Sequence, residues 1–228
     1  MPNTKRYNFA SEAFHDIYWR IVRDGVEFDN TKALFNFGFY INKPYNNSIE
    51  DNANVKRGWS EEYAEAEWQW YLSGVPNIAK LGSLYGKVPQ IWKRMADENG
   101  SVNSNYGWQW QRNDQLGKVI RMLRENPNTR KATISIYDGK EIDMYSTDTP
   151  CTYAIQFTVV DNKLNMSVMM RSNDLWYGFC NDQYQFSSLQ MLVAYETGYD
   201  LGWYYHFAHN MHLYNDKLPK QTQRLFHR

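Results

Sequence analysis

The sequence contains little cysteine and no surplus of either charge, and each shortage excludes a class of protein. Two cysteines among 228 residues are too few for the disulfide framework of a small secreted domain. Lysine plus arginine and aspartate plus glutamate number 25 each, so no basic excess indicates binding to a polynucleotide or to an anionic membrane. These shortages favour a reducing compartment and a small ligand.

Long apolar runs are also missing. The N-terminal stretch MPNTKRYNFASEAF lacks the apolar centre of a signal peptide, and no segment approaches the length of a membrane span. No internal repeat, low-complexity tract or linker-like change of composition divides the chain. We therefore expect a soluble, cytoplasmic protein in which residues 1–228 form a single domain.

Helix and strand signals are present but follow no regular alternation. Aromatic residues make up 17% of the chain, which suits either a pocket for a flat ligand or a dense core. The predicted elements are helices over 60–74, 114–125 and 184–196, a loop over 42–54, and the strands KATISIY, CTYAIQFTVV, KLNMSVMM and WYYHFAH. This pattern predicts the α+β class, with a mixed, mainly antiparallel central sheet packed by helices.

One predicted hairpin brings a cysteine near a cation. CTYAIQFTVV and KLNMSVMM meet at Asp161 and Asn162, a residue pair common in tight turns. Pairing around this turn places residues whose numbers sum to about 323 opposite each other, so Cys151 and Arg171 lie near the same open end. Cys151, directly after Pro150, is either a small buried hydrophobe or a nucleophile whose thiolate is favoured by a nearby cation.

The predicted helix over 60–74 carries a carboxylate on an aromatic face. In SEEYAEAEWQWYLSG, Ser60 is a suitable N-cap and Gly74 a suitable end. Tyr63, Glu67 and Trp70 fall on one face of this helix. A carboxylate among aromatic rings must be either paired or functional.

Two further motifs each have two interpretations. Arg130 and Lys131 in NTRK are either solvated or, together with Arg171, a clamp for a dianionic phosphate. In GFCND, Asn181 and Asp182 stand just before a predicted helix. Taken alone, that position indicates an N-cap.

Three histidines in YYHFAHNMHLY raise the question of a metal. His206, His209 and His212 are spaced by three, which on a helix would place them on one face. The flanking aromatic residues instead favour a strand, in which His209 points opposite to the other two. We therefore expect no metal site, and we expect His212 and Tyr214 to share a face.

Taken in order along the chain, these motifs resemble a known family. Glu67 in EWQWYL, then ADENGSVNSNYG, NPNTR, PC, QF, RSND, the turn from Gly178 to Asp182 and finally HLY are similar to thymidylate synthase and its nucleotide-modifying relatives, over roughly 60–214. Within that family the pattern looks closer to the deoxycytidylate hydroxymethylases of bacteriophages. Thr152 follows the cysteine where the synthases usually have histidine, and a phage that modifies its own DNA inside the host cytoplasm would be the natural setting.

The residue at position 182 favours the same branch. The synthases have asparagine there, which accepts from uracil N3–H and donates to O4. Cytosine presents the opposite pattern to uracil at these two positions, because its N3 accepts a hydrogen bond and its N4 amino group donates one. A protonated Asp182 donates to N3 and accepts from N4, or its carboxylate pairs with a ring protonated at N3.

The resemblance implies a reaction and its catalytic residues. Cys151 adds to C6 of the pyrimidine, and C5 then takes a one-carbon unit from 5,10-methylenetetrahydrofolate. Water adding to the resulting methylene gives 5-hydroxymethyl, whereas hydride gives methyl. Glu67 orients water and moves protons near N3 and N4, so the implied catalytic residues are Cys151, Glu67 and Asp182.

The resemblance also implies binding residues and a partner. Arg171 and Ser172 hold the phosphate within the subunit, and Arg130 with Lys131 reaches in from the second subunit of a homodimer. The implied nucleotide-binding residues are Arg130, Lys131, Arg171, Ser172, Asn173, Asp174, His212, Tyr214 and Tyr106, with the sugar 3′-hydroxyl on His212 and Tyr214. Trp92 and Asp174 lie by the folate, and Met95 replaces a tryptophan usual in the synthases. Lys32 is the candidate for a cation that the family carries near its N-terminus.

Three functions compete at this stage. The first is a folate-dependent hydroxymethylase of a cytosine nucleotide, dCMP or CMP. The second is a thymidylate synthase or a hydroxymethylase of dUMP, and the third is a non-catalytic nucleotide-binding protein that keeps the fold. The joint presence of Cys151, Glu67, Arg171 and Asp182 favours the first over the third. We expect no polynucleotide or membrane partner.

Overall fold

The structure is a computed structural model that describes residues 4–49, 58–140, 142 and 148–226. The helices are α1 (Ala10–Asp24), α2 (Glu61–Leu72), α3 (Ile78–Tyr85), α4 (Gln90–Met95), α5 (Tyr106–Gln111), α6 (Gln115–Glu125), α7 (Cys180–Thr197) and α8 (Leu218–Phe226). The strands are β1 (Arg6–Tyr7), β2 (Val26–Phe28), β3 (Thr31–Ile41), β4 (Thr133–Ser135), β5 (Thr152–Val160), β6 (Lys163–Met170), β7 (Asn173–Asp174) and β8 (Asp200–Tyr214). One turn of π-helix, Leu175–Phe179, leads into α7.

One mixed sheet organises these elements. Six strands follow the order β1-β3-β8-β6-β5-β4, while β2 pairs with β3 and β7 pairs with β8. The β3–β8, β5–β6 and β4–β5 pairs are antiparallel, whereas β6 and β7 run parallel to β8. The predicted α+β class with a mixed, mainly antiparallel sheet is confirmed. That residues 1–228 form one domain stays a prediction.

The two faces of the sheet differ in burial. One row of paired positions across five strands is fully buried and consists of Ile134, Ile155, Val168, His206 and Phe39. Helices α1 and α7 pack against the strands that carry this row. The next row, on the opposite face, is half-buried or exposed and consists of Ser135, Ala154, Met169, Phe207 and Gly38.

Local sequence signals correctly predicted helix α2, which carries Glu67, and the β5–β6 hairpin, which follows Cys151. Ser60 Oγ accepts a hydrogen bond from the Tyr63 amide at 3.1 Å and caps α2. Asp161 and Asn162 have φ of 51° and 59°, as a tight type I′ turn requires. The predicted register of the β5–β6 hairpin is confirmed from Ala154 opposite Met169 to the turn, and a bulge next to Thr152 shifts the last pair by one residue.

Other elements differ from the prediction in extent. Strand β8 is longer than WYYHFAH, β4 is shorter than KATISIY, and α7 begins four positions before the predicted start. Residues 42–49 form the predicted loop, while 50–54 lie outside the described residues. Helix α1 and strand β3 were not predicted: α1 has no side-chain cap at Phe9, and β3 is held by pairing with β8, far away in the sequence. No helix within the described ranges is long and apolar enough to cross a membrane.

Candidate active site

Cys151 precedes β5, and Arg171 fixes the chain around it. The guanidinium donates from Nε to the carbonyl oxygen of Pro150 at 3.1 Å and from Nη2 to that of Thr149 at 2.9 Å. The same Nη2 lies 3.8 Å from Cys151 Sγ. The predicted proximity of the cysteine and the cation is confirmed. Ser172, half-buried, follows directly.

The thiol of Cys151 is protonated at neutral pH. Burial raises its pKa to about 11, and the Arg171 guanidinium lowers the pKa without cancelling the effect of burial. The carboxyl groups of Asp182, Asp148 and Asp174 contribute to this rise in the thiol pKa. The expected influence of the cation is present, but desolvation outweighs it. A reaction at this sulfur must therefore include removal of its proton.

Asp148 lies close enough to Cys151 to affect its pKa, but no sequence motif predicted this residue. It is buried, accepts from the Ser104 amide at 2.7 Å, and also accepts from the Ser104 hydroxyl. Burial raises the pKa of its carboxyl group. These bonds attach the loop before Cys151 to the segment before α5. No local pattern encodes the contact, because the two segments are distant in the sequence.

Glu67 is buried on the aromatic face of α2, as its spacing predicts. Its carboxyl group accepts from the Tyr63 hydroxyl at 2.5 Å and from Gln185 Nε2 at 3.0 Å. The Trp92 indole N–H donates to the same Tyr63 hydroxyl at 2.8 Å. Burial raises the pKa of Glu67 to about 7, although both hydrogen bonds oppose this effect. The group is therefore both paired and close to its titration point at neutral pH.

Asp182 lies in the first turn of α7, not at its N-cap. The N-cap residue is Phe179, so the N-cap interpretation of GFCND is wrong. The π-helical turn accounts for the difference, because it starts the helical path earlier, at a cap formed by Asp174. Asp182 Oδ2 accepts from Asn173 Nδ2 at 2.7 Å. Desolvation is the main cause that raises its pKa to about 8, and Glu67 contributes to the rise.

Two more residues, missed from the sequence, extend this contact into the sheet. His206 Nε2 lies 3.0 Å from Asn173 Oδ1, and His206 Nδ1 lies 2.6 Å from the Tyr204 hydroxyl. Strand β7 brings Asn173 to this position by pairing with β8. The strand spacing of His206 and His212 indicated that the two histidines share a face, but not that His206 contacts Asn173.

Gly178 leaves the space that the contact between Asn173 and Asp182 needs. A Cβ at position 178 would lie 2.9 Å from Asn173 Nδ2 and 3.3 Å from Asp182 Oδ2. In a helical turn, alanine usually stabilises relative to glycine. Here we expect Gly178→Ala to lower the free energy of unfolding by about 1–3 kcal/mol, because it forces this partly buried pair apart. Urea denaturation measures the change.

Gly139→Ala is the matched control, since a Cβ there would meet nothing within 4 Å. We expect its free energy of unfolding to stay within about 0.5 kcal/mol of the wild-type value. A Gly178→Ala protein as stable as that control would contradict the crowding at the pair.

Three further residues predicted to bind the nucleotide lie near Cys151 or Asp174. Tyr106 is buried, and its hydroxyl accepts from the Thr152 amide at 3.2 Å, next to the cysteine. His212 is 7% exposed and pairs with Asp174 across β7 and β8. Burial lowers the pKa of His212, so its imidazole is neutral. Tyr214 is 40% exposed, and its ring contacts His212 at a centroid distance of 5.2 Å.

Arg130 and Lys131 are not brought to Cys151. Both are exposed and precede β4, where the Phe157 amide donates to the carbonyl oxygen of Ala132. Six residues of β5 separate this point from the cysteine, which corresponds to roughly 20 Å at the rise of a strand. These cations therefore do not share a site with Arg171 in one chain. Lys32 Nζ donates to the carbonyl oxygen of Val22 at 2.6 Å.

The two predicted folate residues have contacts within the protein. Trp92 is half-buried, and two successive hydrogen bonds through the Tyr63 hydroxyl connect it to Glu67. Asp174 accepts from the amides of Trp176 at 3.0 Å and Tyr177 at 3.1 Å. Its carboxylate thus caps the π-helical turn. Met95 is half-buried at the end of α4.

The three histidines do not form a cluster. His206 is fully buried and His212 nearly so, whereas His209 is exposed on the other face of β8 and contacts Asn36 and Tyr153. Among the described residues, no group of three or more His, Cys, Asp or Glu side chains is arranged to hold a metal ion.

Comparison with known proteins gives matches along most of the chain. The family model described as "Thymidylate synthase" matches residues 12–228. The thymidylate synthase of Bacillus mojavensis is 30% identical over 194 residues, which cover 76% of this chain and 67% of that protein. Thymidylate synthase 1 of Bacillus spizizenii is 29% identical over 194 residues, with the same coverage.

A solved structure agrees with the fold. Thermostable thymidylate synthase A from Bacillus subtilis matches with a TM-score of 0.78 and 23% sequence identity, over 96% of this chain and 84% of that chain. The likeness confirms the predicted type of fold.

Proposed function

The chain belongs to the thymidylate synthase family, and we propose that it is a folate-dependent deoxycytidylate 5-hydroxymethyltransferase. In the proposed reaction, dCMP, 5,10-methylenetetrahydrofolate and water give 5-hydroxymethyl-dCMP and tetrahydrofolate. The residues proposed for catalysis are Cys151, Glu67 and Asp182.

The acid at position 182 carries the choice of cytosine. Burial raises its pKa to about 8, so below that pH it holds a proton. A carboxylic acid offers a donor to cytosine N3 and an acceptor to N4. Uracil presents a donor at N3 and an acceptor at O4, the reverse arrangement. Each mismatched group in a dry pocket costs about 1–3 kcal/mol, which is enough to set the substrate.

The cysteine and the acid act on the same ring. The Sγ proton leaves to water, and Arg171, 3.8 Å from the sulfur, stabilises the thiolate. As the S–C6 bond forms, the C5=C6 electron pair moves to the C4–C5 bond and the C4=N3 pair moves to N3. The Asp182 proton neutralises N3. The ring is then an enamine, which is nucleophilic at C5.

The remaining steps use Glu67 and the half-buried Trp92. When bound, 5,10-methylenetetrahydrofolate supplies carbon at the oxidation level of formaldehyde. Trp92 fits beside such a flat ring system because its indole N–H is already satisfied by Tyr63. C5 would bond to that carbon as one of the carbon's two bonds to folate nitrogen breaks. Loss of the C5 proton would then release tetrahydrofolate, which keeps the electron pair of the second carbon–nitrogen bond. A water oxygen would bond to the remaining methylene carbon and lose a proton, N3 would return its proton to Asp182 as the C5=C6 bond re-forms, and Sγ would leave C6 as a thiolate. Glu67, with a pKa of about 7, orients that water and exchanges protons at neutral pH.

We also propose a homodimer that shares its phosphate sites. Arg171 uses Nε and Nη2 for Pro150 and Thr149, and its Nη1 makes no hydrogen bond within the described part of the chain. Nη1 is thus available to a phosphate. Arg130 and Lys131 are too distant from Arg171 of their own chain to bind the same phosphate. Their distance supports a role in the phosphate site of the second subunit. The half-buried face of the sheet, with Tyr40, Tyr205 and Phe207, supplies apolar area for such an interface.

An assay on dCMP, CMP and dUMP labelled with tritium at C5 tests this function. We expect tritium release from dCMP that depends on methylenetetrahydrofolate, and a product heavier by CH2O. A thymidylate synthase, the activity named for the relatives, would instead act on dUMP and add CH2. Turnover of CMP would show that ribose is accepted, and no release from any nucleotide would leave only a binding protein.

A further inference from the structure

A buried histidine stands in the apolar row of the sheet and has no part in the steps above. His206 is fully buried between the rings of Phe39 and Phe179, at centroid distances of 5.3 and 5.2 Å. Burial lowers its pKa to about 3, so the imidazole is neutral over the whole working range. A neutral imidazole has one nitrogen that donates and one that accepts.

Both nitrogens of His206 are engaged, and the contacts end at Asp182. Nδ1 lies 2.6 Å from the Tyr204 hydroxyl, and Nε2 lies 3.0 Å from Asn173 Oδ1. Asn173 Nδ2 in turn lies 2.7 Å from Asp182 Oδ2. Four side chains from β8, β7 and α7 thus form one continuous chain of hydrogen bonds, called here the 204–182 relay.

The chemistry of the groups gives the relay a direction. An amide nitrogen only donates, so Asn173 Nδ2 donates to Asp182 and Asn173 Oδ1 must accept from His206. The His206 proton is then on Nε2, and Nδ1 accepts from the Tyr204 hydroxyl. The opposite direction would leave the buried Tyr204 O–H without an acceptor, because the described residues provide it with no hydrogen-bond partner other than His206.

We propose that Tyr204, His206 and Asn173 are positioning residues whose hydrogen-bond direction keeps the Asp182 proton available for the base. In this direction Asp182 receives a hydrogen bond from Asn173 and can use its own proton on cytosine N3. In the opposite direction Asp182 would donate that proton to Asn173 and offer the base only acceptors, which suits uracil N3–H. The link to cytosine rests on the proposed function. The direction of the relay follows from the hydrogen bonds alone.

Tyr204→Phe tests the relay, because it removes the hydroxyl that fixes the direction. We expect the ratio of kcat/KM for dCMP to kcat/KM for dUMP to fall at least about fivefold. A change of this size is typical when a buried site loses one hydrogen bond that distinguishes two substrates. In parallel, ¹⁵N NMR of the histidine ring nitrogens reports the tautomer directly. We expect His206 to carry its proton on Nε2 in the wild-type protein and to be a mixture of both tautomers in Tyr204→Phe.

Tyr18→Phe is the matched control. It also removes a buried tyrosine hydroxyl with a single bond, to Thr222 Oγ1 at 2.7 Å, outside the site. We expect Tyr18→Phe to lower the free energy of unfolding about as much as Tyr204→Phe does, but to leave the ratio of kcat/KM for dCMP and dUMP unchanged. His206→Gln keeps an amide donor toward Asn173 and is expected to retain more of the dCMP preference than His206→Leu.

The outcomes separate the inference from the proposed function. A wild-type protein with its His206 proton on Nδ1 overturns the relay without any variant. The relay also fails if the wild type prefers dCMP and Tyr204→Phe has the same preference, while the proposed function stands. If the wild type turns over no dCMP, the proposed function fails, and the NMR result still decides the direction of the relay.

Discussion

Cys151→Ser is expected to abolish turnover of dCMP, with kcat reduced by at least about 10³-fold, as for loss of a catalytic nucleophile in other enzymes. A serine hydroxyl ionises far less readily than a thiol, and this site already disfavours the anion. Burial is the main cause that raises the thiol pKa to about 11, nearby carboxyl groups add to the rise, and Arg171 opposes it only in part. Tritium release from C5-labelled dCMP measures the loss, and mass spectrometry of the denatured wild-type protein detects the adduct on the peptide that contains Cys151.

Cys180→Ser provides the control within the same chain. Cys180 is the second cysteine, is fully buried, and donates from Sγ to the carbonyl oxygen of Leu175 at 3.6 Å. A serine hydroxyl can make the same bond, so we expect wild-type kcat and no change in the adduct. Full turnover by Cys151→Ser, or an adduct that moves to Cys180, would reject the proposed chemistry.

The contact between Cys151 and Arg171 was predictable because a hairpin is local. Asp161 and Asn162 fix the turn, and the period of two along each strand then fixes which residues face each other. The bulge next to Thr152 changed the register by one residue but not the end of the hairpin. Glu67 was predictable for a similar reason, since helical spacing determines its face.

The environment of Asp182 was not predictable from local rules. Asn173 reaches it because β7 pairs with the end of β8, and His206 joins because Val168 and Phe39 flank it in the same sheet row. Those contacts depend on strand order, which the sequence pattern did not specify. The π-helical turn moved Asp182 from the expected cap into the first turn of α7, where its carboxyl group contacts Asn173.

Asp182→Asn is expected to lower kcat for dCMP by about 10²–10⁴-fold, the usual range for loss of a general acid. The amide has no proton to give to N3 as sulfur adds to C6. The same change should raise kcat/KM for dUMP at least about tenfold, because an amide satisfies both N3–H and O4 of uracil. Tritium release from the two labelled nucleotides measures the reversal.

Glu67→Gln is the matched control, since it neutralises the neighbouring buried carboxyl group that is proposed to serve the water step with either base. We expect Glu67→Gln to lower kcat for both nucleotides without reversing their ratio of kcat/KM.

The pH profile of kcat/KM for dCMP adds a second criterion. Because the pKa of Asp182 is raised to about 8, its acid form is present below that pH and is lost as the pH rises through it. The wild-type kcat/KM for dCMP should therefore gain from thiol ionisation up to about pH 8 and stop rising there, whereas Asp182→Asn should lack this break. Equal profiles, or an Asp182→Asn protein that still prefers dCMP, would mean that another group selects the base.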